Sequence, residues 1–68
     1  MKEAWQHNAS TGDAILDVFA NGRIVRVGVN APFLYRAEFW GDYSLVYPQK
    51  GPWRTALPAA KRDLARLR

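Results

Sequence analysis

His7 is the one histidine of the chain, and Ser10, Ser44 and the two threonines are its possible nucleophilic partners. A hydroxyl activated by histidine does acyl or phosphoryl transfer only when a third, acidic group orients the base. No spacing in this sequence assembles those three groups, and His7 reads as a surface histidine. The six carboxylates are scattered. Asp17 reads as the cross-strand partner of Arg26, not as a general acid. The glycines stand singly, so no loop of backbone N–H groups cradles a phosphate. With no cysteine and one histidine, the ligand sets of a structural zinc site are missing. The chain is therefore expected to be no enzyme and to hold no cofactor and no metal.

Two surfaces remain as carriers of function. The first is a face of aromatic and apolar residues with interspersed charge. Phe19, Trp40, Tyr43 and Tyr47 are its expected anchors, and Arg36 joins them. Ile15, Ile24, Leu34 and Leu45 fill the space between. The pairs Asp17–Arg26 and Arg36–Glu38 roughly cancel in charge. Trp, Tyr and Arg among apolar residues is the composition of an interface hot region. The bland alternative is that the N-terminal segment, with Trp5, covers this face.

The second surface is basic. Residues 1–12 are neutral, residues 13–47 carry a net charge of −1, and residues 48–68 carry +5. Lys50, Arg54, Lys61, Arg62, Arg66 and Arg68 make up that last segment's cationic set. Its members are expected to meet phosphates or an acidic protein patch, arginine favouring two-pronged recognition of either. The bland alternative is a solvated helix face that also suits the negative end of the helix dipole.

Positioning these surfaces requires strands and one helix. In FANGRIV, Phe19 to Val25, Asn-Gly lies between two branched apolar runs, the signature of a two-residue type I′ hairpin turn. A hairpin over 14–29 follows. With Asn21 and Gly22 in the turn, Val18 faces Val25, Leu16 faces Val27 and Phe19 faces Ile24. That register makes one face aliphatic. Phe33 to Trp40 reads either as a strand or as a helix capped by Asn30 and stopped by Gly41. The strand is favoured, because Gly41-Asp42 suits a second hairpin turn and a hairpin over 33–47. Pro48 to Pro52 is a loop. Thr55 looks like an N-cap and Pro58 falls in the first turn of a C-terminal helix over about 56–67. Leu57, Ala60, Leu64 and Leu67 form its apolar stripe. Residues 1–13 show no clear period, with Trp5 as a possible anchor or a short edge strand, and Asn8 to Asp13 as polar turns. The fold class is α+β, a small antiparallel sheet of three to four strands with one helix.

Sixty-eight residues make one small domain at most. There is no apolar run long enough for a membrane span, and the start lacks the apolar stretch of a signal peptide, which favours the cytoplasm. WRTALPA, Trp53 to Ala59, resembles the step from sheet to final helix in the arm-type DNA-binding domains of tyrosine recombinases. The likeness is confined to that step, and the charge-balanced strands here do not match that family's basic sheet. In size and self-contained form the chain resembles small phage-encoded inhibitors such as anti-CRISPR proteins, which implies action by occluding a surface. The expected function is that of a binding protein, an inhibitor or adaptor docking on a protein or nucleoprotein assembly. The alternative is a DNA- or RNA-binding module built on the basic helix. Pairing of two copies through an edge strand or the open face is a third use of the same surfaces.

Overall fold

A computed structural model describes residues 4–28, 30–41 and 47–68. Five antiparallel strands follow one another in the sheet in chain order: β1 (Gln6–His7), β2 (Ala14–Phe19), β3 (Gly22–Val27), β4 (Leu34–Phe39) and β5 (Gln49–Lys50). Helix α1 (Leu57–Leu67) closes the chain. The class is α+β, with five strands where three to four were expected. No helix among the described residues is long and apolar enough to cross a membrane.

The first hairpin forms, but not in the expected register. Leu16 faces Ile24 and Ile15 faces Val25, while Phe19 lies opposite Gly22. The turn therefore consists of Ala20 and Asn21, and only Asn21 takes positive φ, at 66°. Gly22 belongs to the strand, where its missing side chain leaves room for the Phe19 ring. The register shifts between Asp17 and Phe19. An extra residue there resets the alternation of faces and turns Phe19 to the side of Leu16 and Ile24. The change of register also divides the expected aliphatic face: Ala14 and Leu16 point one way, Val25 and Val27 the other.

Leu16, Ile24 and Ala37 form the sheet's half of the core, and Ala60 and Leu64 of α1 lie on them. Ile24 and Leu64 are fully buried, and each such side chain contributes roughly 1.5–3 kcal/mol. Trp5, Phe19, Tyr35, Phe39, Leu57 and Leu67 ring this centre. The helix stripe is the expected one, and its start is one residue later than expected. Ala56 is the N-cap, without a side-chain bond, and Pro58 sits in the first turn. As a cap, Thr55 would aim its hydroxyl at the N–H two or three residues on, and the third is Pro58, which has none.

The strand reading of 33–40 holds, as Leu34–Phe39. Its described return partner is β5. Lys50 lies opposite Glu38 and Gln49 opposite Phe39, Gly51 N–H donates to the Ala37 carbonyl at 2.9 Å, and Arg54 and Tyr35 exchange two bonds of 2.7 Å. Of the hairpin expected over 33–47, Tyr47 lies outside the sheet. Residues 42–46 of that hairpin fall outside the described residues.

At the start of the chain, the edge-strand reading holds. Asn8 and Gly12 close the β1–β2 turn through bonds of 2.8 Å, Asn8 N–H to Asp13 carbonyl and Gly12 N–H to Asn8 carbonyl. The Asn8 amide oxygen accepts from Ser10 N–H at 2.9 Å. Gly28, with φ of 111°, and a cis Ala31–Pro32 peptide carry the chain from β3 to β4.

Candidate interaction surfaces

Alternation along the strands decides what each face offers. Helix α1 takes the side of Ala14, Leu16, Ile24, Ala37 and Phe39. The other side carries Ile15, Arg23, Val25, Leu34, Arg36 and Glu38, and no described element covers it. Across this side runs a row of five residues. Glu38 is at its centre and only 4% exposed. Arg23 donates to it through Nε at 2.8 Å and Nη2 at 2.7 Å, and Arg36 approaches through Nη2 at 3.5 Å. The Arg23 guanidinium lies 4.6 Å from the Trp40 ring centre, and that of Arg36 lies 4.2 Å from Trp53. Trp53 is 41% exposed.

The row follows from the register. Arg23 stands opposite Glu38, and Arg36 is two residues before Glu38, hence on the same face. Stacking on indole and pairing with carboxylate together hold each guanidinium in one orientation. Each cation–π contact adds about 0.5–1 kcal/mol at an exposed site.

The expected anchors do not converge. Trp40 and Arg36 belong to the row. Phe19 does not: it packs edge-on against Phe39 at 6.0 Å, under the Arg68 guanidinium at 4.9 Å, on the helix side. Ile24, expected beside them, is the centre of the core. Tyr47 is 77% exposed but outside the sheet, and Tyr43 lies outside the described residues. Arg23 and Trp53 were missed. Their partners lie 15 or more residues away in the chain, Glu38 and Trp40 for Arg23 and Arg36 for Trp53, so only the true register reveals them.

The Asp17–Arg26 pair is also absent. Arg23, opposite Asp17, is taken by Glu38. Arg26 turns to the helix side, where its guanidinium lies 4.3 Å from the Phe33 ring centre and 5.0 Å from Trp5. There Trp5 also meets Tyr35, at 6.2 Å, so Trp5 belongs to the covered side and leaves the opposite face open.

The basic set divides as well. Arg54 is locked to Asp63, its Nε at 2.7 Å and Nη2 at 3.1 Å from the two carboxylate oxygens. The bond from Arg54 holds the Asp63 carboxyl below its ordinary pKa; burial opposes this, and the charges of Arg54, Arg66 and Arg62 assist it. The same bond raises Arg54. Lys61 is half-buried and already engaged. Arg62 and Arg66 are exposed, one helical turn apart.

His7 lines a concavity of about 390 Å³ on the open face, with Thr11, Asp13, Ile15, Arg23 and Glu38 among its neighbours. No side-chain hydrogen bond joins His7 to Thr11 or Asp13; Thr11 Oγ1 instead accepts from the Asp13 N–H at 3.2 Å. No group of histidine and carboxylate side chains among the described residues is arranged to hold a metal ion. Comparison with family models, curated proteins and solved structures found no match to this chain.

Proposed function

We propose that the protein is a non-catalytic docking module whose open sheet face seats on a carboxylate-bearing surface of another protein. It acts there as an inhibitor or adaptor by occlusion, in a cytoplasmic setting. The observation that carries this reading is the row Trp40–Arg23–Glu38–Arg36–Trp53 on a face that no described element covers. Tryptophan and arginine dominate interface hot regions. Both guanidiniums are already stacked and paired, so little side-chain freedom is lost on docking. Arg23, Arg36 and Lys50 equal Asp13, Asp17 and Glu38 in number on this face, and the whole chain carries +4, so the net charge that a partner meets at a distance is positive. An acidic partner is drawn to such a surface, while a second copy would set like charge against like.

The test is a titration of the purified partner, obtained by affinity capture from the native host, against variants of the row. Trp40→Ala is expected to weaken binding about 30-fold or more, the scale of a hot-spot truncation of about 2 kcal/mol. Arg62→Ala, on the helix, is expected to leave binding within about twofold. A partner held equally well by Trp40→Ala and by wild type overturns the reading.

A further inference from the structure

Strand β5 and helix α1 meet along one edge of the molecule, and the meeting is close. A Cβ on Gly51 would lie 3.3 Å from that of Asp63 and 3.5 Å from that of Ala37. An added methyl would touch Ala37 in ordinary contact and press on Asp63 by a few tenths of an ångström, so strand and helix run close together here and Lys50 and Arg54 lie beside the helix. A cleft of about 300 Å³ results, with Lys50, Arg54, Asp63 and Arg66 in its lining. Asp63 is 6% exposed, and the Arg54 fork closes over its carboxylate. The cleft's one negative charge is thus spent inside the protein. Lys50 and Arg66 are exposed, as is Arg62 one turn along, and none lies within ion-pair distance of a carboxylate among the described residues. These cations form an open row, which suits a repeating anion better than a single one. Trp53, next in sequence to Arg54, offers a partly exposed ring at the same edge, with the Arg36 guanidinium stacked on it.

We propose that this edge binds single-stranded nucleic acid, with phosphates along Lys50, Arg66 and Arg62 and a base stacked on Trp53. A cationic track beside an aromatic platform is the chemistry of sequence-tolerant single-strand binding. A duplex offers the same phosphates but no free base. It shares Trp53 and Lys50 with the face of the docking reading but rests on Arg62 and Arg66 of α1, which that reading does not use, and Trp40 tells the two apart.

The test is fluorescence anisotropy of labelled oligo(dT) with the full chain across a salt series. Three neutralised phosphates give a slope of log K against log salt of about −2. The double variant Lys50→Gln/Arg66→Gln is expected to lower the slope to about a third of that and the low-salt affinity at least tenfold. Trp53→Ala is expected to weaken binding about tenfold, while Trp40→Ala leaves it unchanged. Circular dichroism confirms that each variant is folded; Lys50 and Arg66 are exposed and make no ion pair among the described residues, so the double variant keeps the fold. The proposal is overturned by no binding at low salt, by a double variant that binds as wild type, by a matched duplex bound as tightly, or by polyglutamate competing equally at equal charge.

Discussion

Asp63 lies among four basic residues of the C-terminal segment, Lys61, Arg62, Arg66 and Arg68, and by sequence looks like relief from their repulsion. Its structural position gives it a different part. It is buried, and Arg54 reaches it with two donors from the sheet edge. The helix is thereby tied to the chain segment that follows β5. Because the folded carboxyl binds its proton less readily than an unfolded one, its contribution to stability is present above the ordinary carboxylate pKa, near 4, and disappears as pH falls through the lower folded value. Asp63→Asn keeps the volume and loses the charge. It is expected to melt below wild type at neutral pH, and the two melting temperatures are expected to converge as the solution is acidified below about pH 4. Melting curves that stay parallel down to strong acid would show that the Arg54 bond does not distinguish the two states. The raised Arg54 titrates above any pH used in such a scan and adds nothing to it.

Among the elements, α1 was the most legible in the sequence, since four apolar residues at helical spacing admit one buried stripe. The β2–β3 hairpin was legible as a hairpin but not in its register. Asn21-Gly22 suggests that both residues serve the turn, whereas the structure uses Ala20 and Asn21 and gives Gly22 to the strand. The reason lies in Phe19. A Cβ on Gly22 would lie 2.7 Å from the Phe19 Cζ, so the ring occupies the space that the glycine leaves. Gly22→Ala is therefore expected to destabilise the protein by about 1–3 kcal/mol, the usual cost of overpacking, with loss of the Phe19–Phe39 ring contact in aromatic NMR shifts. If the glycine served the turn alone, the ring signals would stay in place. The same register error hid the open-face row. Arg23 lies on one stretch of alternating sequence and Arg36 and Glu38 on another, and each stretch has two faces to choose from. Nothing short of the strand pairing tells which charges meet, and a cation stacked on a ring leaves no mark in composition.

For the molecule as a whole, the core is small: six buried apolar residues among those described, three of them alanines, with aromatic rings set around them. The helix covers β3 and β4 but not the far end of the sheet. There the N-terminal segment supplies Trp5, which packs on Tyr35 and on the Arg26 guanidinium, itself stacked on Phe33. Trp5 thus completes at the Tyr35 end of the sheet the cover that the C-terminal part of α1 gives at the other, where Arg68 lies over the Phe19 ring. It is half-buried, so truncation removes about half of what a fully buried tryptophan contributes, or about 1.5–2.5 kcal/mol. In a chain this short, each kcal/mol moves the melting temperature by about 4–8 °C. Trp5→Ala is therefore expected to melt roughly 6–20 °C lower, and the Gln6 and His7 amides should lose protection from hydrogen exchange before those of β3 and β4. The Trp40–Arg23 and Trp53–Arg36 stacks lie on the opposite face, so their binding behaviour below the melting range should survive the change. A Trp5→Ala protein with unaltered melting would mean that β1 is held by its backbone pairing with β2 alone and that the Arg26 end of the sheet closes without it.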